Sequence, residues 1–266
     1  MNARLARWLS LLQRTPPEQA ESLVRSLLIQ YFFHTFNKAM VEVTGLAAGA
    51  APRLNLLLPT VFNGGGRVRV AATALLGWGN SPFSHRASYI EARNAGALIE
   101  IGEKTTINNA AVLIAEGAGI RIGARCLIGT DFQLMDTYAH ELELGRRHEA
   151  DSRTRQVVAG DDVFIGSRVT LLKGCRLGDG CVVASGAVVA PGFEAPAMSI
   201  VAGNPARVVG QMPTPATADG RRHAGPYPKT GFTRDTTSSQ SQLDEAECGK
   251  SPREYFNQSG AHRVQE

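Results

Sequence analysis

Two histidines, His140 and His148, fall in one polar stretch, DTYAHELELGRRHEADSRTRQVV, which interrupts an otherwise regular apolar pattern. Histidine changes charge near neutrality without a large shift, so either residue could take a proton from a hydroxyl or return one. The stretch has too few apolar residues to form a core of its own, and a loop this long inside a compact repeat is usually functional. The cysteines read differently. Cys126, Cys175 and Cys181 each occupy the small-residue place of a six-residue repeat, which makes them packing residues rather than nucleophiles, metal ligands or half-cystines. The repeats themselves contain no histidine, so a zinc site of three histidines from neighbouring coils has no ligands. Asn63-Gly64-Gly65-Gly66 is followed by neither Lys-Ser/Thr nor a helical pattern, and reads as a turn rather than a phosphate loop.

The element that must position these residues is the repeat. From 159 to 189 the chain reads AGDDVF, IGSRVT, LLKGCR, LGDGCV, VASGAV, with an aliphatic residue or Ala opening each six and again at Val189. Gly160, Gly166, Gly178 and Ala184 fill the next place, with Leu172 the exception. Neither a period of about 3.6 nor a period of 2 produces this, whereas a parallel β-helix of hexapeptide repeats does. The same sixes begin irregularly at Ile90. They become clean at Ile101 (IGEKTT, INNAAV, a slip at LIAEGA, then IGARCL, IGTDFQ). The polar stretch then leaves the prism as an extruded loop over 135–158.

Around the repeat the chain divides into three: 1–52 helical, 53–211 the β-helix with its loop, and 212–266 a largely disordered tail. Residues 2–14 predict a helix with Leu5, Trp8, Leu9 and Leu12 on one face. Thr15-Pro16-Pro17-Glu18 reads as a capping box opening a second helix that runs to about Val43 and stops near Gly45. This region reads as a cap or subunit contact, with peripheral contact at the inner face of a membrane as the alternative. From Arg53 strands take over, and RVRVAAT alternates with period 2. After Met212 the composition turns to Gly, Pro, Ser, Thr and charge, with one docking segment around 252–257.

The 266 residues carry a net charge of +4, spread along the chain with no basic stripe or recognisable module, which argues against a nucleic-acid surface. No signal-peptide pattern opens the chain and no apolar run reaches the roughly 20 residues of a spanning helix, so a cytoplasmic protein is expected.

The order of parts resembles the hexapeptide-repeat acyltransferases, in particular the O-acetyltransferases of capsular and lipopolysaccharide sugars. The resemblance covers about 75–210. It rests on INNAAVLIAEGAGIRIGARCLIGTDFQLMDTYAH, on GDDVFIGSRVTLLKGCRLGDGCVVASGAVV and on IVAGNPARVV. It implies a left-handed β-helix, a homotrimer, acetyl-CoA bound in the groove between subunits, a sugar or polysaccharide acceptor, and no metal. The runner-up readings are an acetyltransferase of an amino-sugar or small alcohol, and a non-catalytic trimeric scaffold. Sugar-nucleotide pyrophosphorylases carry a nucleotide-binding domain before such a helix that is absent from this sequence.

Residue by residue, the resemblance implies His140 as general base, in Asp136-Thr137-Tyr138-Ala139-His140, where relatives have an acidic residue in place of Tyr138. Asp136 joins the catalytic set, and His148 is the second candidate base. Asn108 and Asn109 match asparagines that face the acceptor, with Ala110 where a third is common. Phe164, Ser167, Ser185, Ala190 and Arg207 match donor positions. The Ser167 N–H serves as oxyanion donor and Arg207 meets the CoA phosphates, while Pro191 stands where several relatives have Lys. The implied reaction is direct transfer, with no acyl-enzyme.

Overall fold

The computed structural model describes residues 3–29 in part, and 40–79, 81–83 and 86–213. The chain divides into two compact units, one holding the helix Ala3–Gln13 and the other, Arg25–Ala218, holding every described strand. The helix is the one expected over 2–14. Thr15 does not cap a second helix, because its hydroxyl donates back to the Leu11 carbonyl at 2.8 Å and closes the first. Described residues between 17 and 29 are helical, residues 30–39 lie outside the described residues, and the helix expected to run to Val43 has ended by Met40. Met40–Thr44 is instead a strand, paired in parallel with Arg67–Ala71. Its MVEVT sequence alternates, and β-branched Val41 and Val43 favour extended backbone once a partner strand is present. The β-helix therefore starts before residue 53. The tail from 214 onward, with its docking segment, lies outside the described residues.

Three parallel sheets form the walls of a left-handed prism. Sheet A has seven strands beginning with Met40–Thr44, sheet B eight beginning with Asn55–Leu56, and sheet C six beginning with Thr60–Asn63. Each turn of the chain visits A, B and C once, so equivalent residues of successive coils stack in columns. Inside sheet A the column runs Val70, Ile101, Ile122, Ala159, Leu177, Ala195. Inside sheet C it runs Phe62, Ile90, Leu113, Leu134, Leu171, Val189, and every member of both columns is buried. From Ile90 onward these are the residues that open the sixes, and burying each of the larger ones contributes roughly 1.5–3 kcal/mol, the alanines less. Cys126, Val163 and Cys181 fill the narrower columns beside them, fully buried. The glycines at the edges are needed because coils stack there backbone on backbone. A Cβ on Gly129 would lie 2.6 Å from the Ser167 nitrogen, and one on Gly166 would lie 2.6 Å from the Ser185 nitrogen.

The outer faces differ. Sheet A carries a column of alternating charge, Glu42, Arg69, Glu100, Arg121, with Arg69 bonded to Glu42 at 2.8 Å and to Glu100 at 3.4 Å. Sheet B carries Leu127, Phe164, Val182 and Ile200 in register, with Leu127 and Phe164 each 49% exposed. The last strands, Ser199–Gly203 and Ala206–Gln211, form an antiparallel hairpin at the end of sheet B.

Candidate active site

Between strands Gln133–Met135 and Val157–Ala159 the chain leaves the prism at the edge where sheet C passes to sheet A. The loop is tied at its base. Asp136 is fully buried, and its carboxylate accepts the N–H groups of Glu116 (2.7 Å), Gly117 (3.2 Å) and Gly119 (2.7 Å) in the turn of the preceding coil. These three bonds make Asp136 the group that fixes where the loop starts. The Thr137 hydroxyl donates to Glu116 at 2.5 Å and accepts the Ala139 N–H at 2.8 Å. Arg93 pairs with Glu116 (3.5 Å) and with Glu91 (3.0 Å), extending the network one coil further.

Ala139 has φ 64°, a left-handed conformation that costs an L-residue roughly 1–2 kcal/mol and turns the chain outward at the next position. His140 is exposed there, and among the described residues no group hydrogen-bonds its imidazole. The second side of the base is Asp151, which is buried. Its carboxylate accepts the Tyr138 N–H at 2.9 Å, the Arg153 N–H at 3.0 Å, and a short charge-assisted bond from buried Lys173. Burial raises the Asp151 pKa, but Lys173 and the two amides outweigh it and hold the group at about 2. Glu141, also buried, accepts from the Ser152 hydroxyl (2.7 Å) and amide (3.2 Å) and from Arg153 (3.0 Å). These contacts, the Ser152 hydroxyl foremost, lower its pKa. Beyond Glu141 the arm is solvent-exposed through Ala150. It carries His148, and Leu142 and Leu144 are 58% and 85% exposed.

The donor candidates fall on two edges. Asn108, Thr130, Ser167 and Ser185 occupy the B-to-C edge, with Thr130 donating to the Ser167 hydroxyl at 3.1 Å. Among the described residues the Ser167 N–H meets no acceptor. Phe164 lies on sheet B beside that edge. Arg207 is exposed on the terminal hairpin, where its guanidinium donates to the Ala206 carbonyl at 2.9 Å. Ala190 lies on the other edge, one coil beyond Lys173, and the Gly192 N–H donates to the Lys173 carbonyl at 3.0 Å. Within one chain, then, His140 and Ala190 share the C-to-A edge, while Phe164, Ser167 and Ser185 belong to sheet B and the B-to-C edge.

Asn109 is fully buried. Its amide donates to the carbonyls of Trp78 (2.9 Å), Ser81 (3.2 Å) and Pro82 (2.9 Å), and its oxygen accepts the Trp78 N–H at 2.7 Å. It staples the excursion after Gly77 to the next coil. Asn108 remains partly exposed, its side-chain oxygen taken by the Asn109 N–H at 2.8 Å. Nothing in the local sequence marks Asp151, Glu141 or Glu116 as loop anchors. Lys173 had one signal, a charged residue beside Leu172, where the repeat otherwise asks for something small.

Burial pushes the Cys175 thiol up to about 12 and raises those of Cys126 and Cys181, which keeps all three protonated in the core. Among the described residues there is no group of three or more His, Cys, Asp or Glu placed to hold a metal ion, and no helix is long and apolar enough to cross a membrane.

Residues 158–191 match the profile described as bacterial transferase hexapeptide (six repeats). The polysialic acid O-acetyltransferase of Neisseria meningitidis is 32% identical over 76 residues, which are 29% of this chain. The chain spans 35% of that relative's length. Among solved structures, the polysialic-acid-specific acetyltransferase NeuO aligns with TM-score 0.48 and 16% identity over 69% of this chain and 86% of that one. A hexapeptide-repeat acetyltransferase of Vibrio cholerae, solved with acetyl coenzyme A, aligns with TM-score 0.40 and 21% identity over 79% and 86%. The coils that carry Ser167, Lys173 and Ser185 are those matched by the profile, so the chain carries hexapeptide repeats of the kind that profile describes, folded as a left-handed β-helix.

Proposed function

We propose that the chain is an O-acetyltransferase that moves an acetyl group from acetyl-CoA to a hydroxyl of a sugar or polysaccharide. The observation that carries this reading is His140, a solvent-exposed imidazole with no competing partner among the described residues, on a loop base whose buried polar groups are otherwise satisfied. The sequence likeness to a polysialic acid O-acetyltransferase supports the acceptor class.

In this reaction His140 takes the proton of the acceptor hydroxyl as its oxygen attacks the thioester carbonyl. The tetrahedral oxyanion is held by the Ser167 N–H, which has no internal acceptor among the described residues. Collapse breaks the C–S bond, and the imidazolium returns its proton to the departing CoA sulfur. No acyl-enzyme forms, since the coil thiols are buried and protonated. A homotrimer unites the two edges. With the C-to-A edge of one copy beside sheet B and the B-to-C edge of the next, His140 and Ala190 face Phe164, Ser167 and Ser185 across one groove. The apolar column Leu127, Phe164, Val182 and Ile200 on sheet B then has a partner. Arg207 reaches the CoA phosphates from the hairpin, and Asn108 faces the acceptor. A reaction that draws on acetyl-CoA suits a cytoplasmic protein.

The test is acceptor-dependent CoA release from acetyl-CoA, run with oligosialic acid, a neutral polysaccharide and an amino-sugar. The expected product is an alkali-labile ester on one of the first two. An alkali-stable amide would replace the acceptor assignment, and no acceptor-dependent release with any sugar would sink the reading.

A further inference from the structure

The Lys173 ammonium is spent entirely on the loop. Its described partners are the Asp151 carboxylate, the Arg153 carbonyl at 3.0 Å and the face of the Tyr138 ring, with the nitrogen 4.0 Å from the ring centroid. None of these belongs to a coil. The coil itself does not need a lysine there, because Pro191 occupies the corresponding corner of the next turn, just before Gly192 as Lys173 is just before Gly174. Burying an ion pair is no efficient route to stability, since desolvation offsets most of the Coulombic gain. What the pair does supply is a fixed connection. Asp151 accepts the Tyr138 N–H at 2.9 Å and donates its own N–H to the Ala139 carbonyl at 3.4 Å. Lys173 therefore ties the two residues that precede His140 to the coil that follows the loop.

We propose that Lys173 and Asp151 are positioning residues for His140, setting the direction in which the loop presents the imidazole. The proposal rests on His140 being the base. The pair acts with the network on the other side of the loop base, where Thr137 and Glu116 hold the Ala139 amide from the preceding coil. His140 is thus gripped between the coil before the loop and the coil after it.

The test uses the full chain with Lys173→Met and Asp151→Val combined, which removes both charges together and leaves neither buried alone. His140→Ala serves as the control. The expected result is an assembled protein with unchanged exchange in the coils, at least tenfold faster amide exchange in peptides covering 137–141, a kcat lowered roughly 10- to 100-fold, and a KM for acetyl-CoA within twofold of wild type. If the double variant does not assemble, Lys173→Arg, which keeps the charge but changes its geometry, is read by the same exchange and kcat measurements. Unchanged exchange at 137–141 overturns the proposal whatever the activity, and so does faster exchange with unchanged kcat. In both cases an inactive His140→Ala leaves the base assignment standing. A His140→Ala protein that keeps its activity overturns the base, and the positioning role with it.

Discussion

The C-to-A and B-to-C edges of the prism are built from the same repeat and by opposite means. At the C-to-A edge buried charge concentrates. Asp136, Glu116, Glu141, Asp151 and Lys173 all lie below the surface, and most of their described bonds go to the loop and the turns that hold it. At the B-to-C edge the column Asn108, Thr130, Ser167, Ser185 holds no ionisable group, and glycines keep neighbouring coils in backbone contact. The first arrangement immobilises an excursion that hydrophobic stacking alone would leave loose. The second keeps side chains small and leaves a main-chain donor accessible. A general base needs the former and an oxyanion site needs the latter.

The largest effect that would sharpen this contrast is on chemistry alone. His140→Ala should lower acetyl transfer by roughly 10²–10⁴-fold while assembly and acetyl-CoA binding persist. Steady-state rates beside a donor-binding titration decide it. Activity within about threefold of wild type would remove His140 as the base and move attention to His148, further out on the same loop.

Asp136→Ala should act on the fold instead. It leaves the N–H groups of Glu116, Gly117 and Gly119 without their acceptor. Gly117 is exposed to water, but the other two are buried, and a buried loss costs about 1–3 kcal/mol. Denaturant unfolding should show a loss of about 3–5 kcal/mol, with Asp136→Asn retaining part of it. A neutral alanine variant would mean that the turn at 116–119 does not depend on the carboxylate.

How far the molecule could be read from its sequence follows from the same contrast. The coils were legible because each inward aliphatic repeats its own reason every six residues, and the cysteines followed from their place in that pattern. Met40–Thr44 was misread because its partner, Arg67–Ala71, lies a full turn away, and its apolar content suits a helix until that partner is known. The bonds that Asn109 and Asp136 make to neighbouring turns were not legible, because a six-residue pattern does not say which side chains close onto the adjacent coil. The Lys173–Asp151 pair was hidden for the same reason, since it joins a coil to a loop that has no period.

On the donor side, Arg207→Ala should raise the KM for acetyl-CoA with little change in kcat, because a remote phosphate contact binds ground and transition states alike. A charge-assisted contact of this kind contributes about 1.5–3 kcal/mol, or roughly 10- to 150-fold in affinity. The penalty should vanish with a donor truncated to its pantetheine arm. One that persists there would remove Arg207 from the phosphate site and leave the end of sheet B without a donor role.

The smallest effect is one that neutral pH conceals. Asp151 is held at about 2 by Lys173 and two amides against the opposing pull of burial. Its folded pKa thus lies below its ordinary value near 3.9. A carboxylate depressed in this way stabilises the fold fully above its ordinary pKa, and that contribution is lost as pH falls toward the folded value. The loop base should therefore be as tightly held at pH 5 as at pH 7, and should loosen only between about pH 4 and pH 2. The B-to-C column has nothing to titrate in that window. Amide exchange, corrected for its intrinsic pH dependence, should rise in peptides covering 137–141 while the bonded amides of Phe164 and Gly166 stay protected. Equal loosening at both places would mean that acid opens the whole prism at once. Loosening already at pH 5 would mean that the Asp151 carboxylate is not what holds the loop.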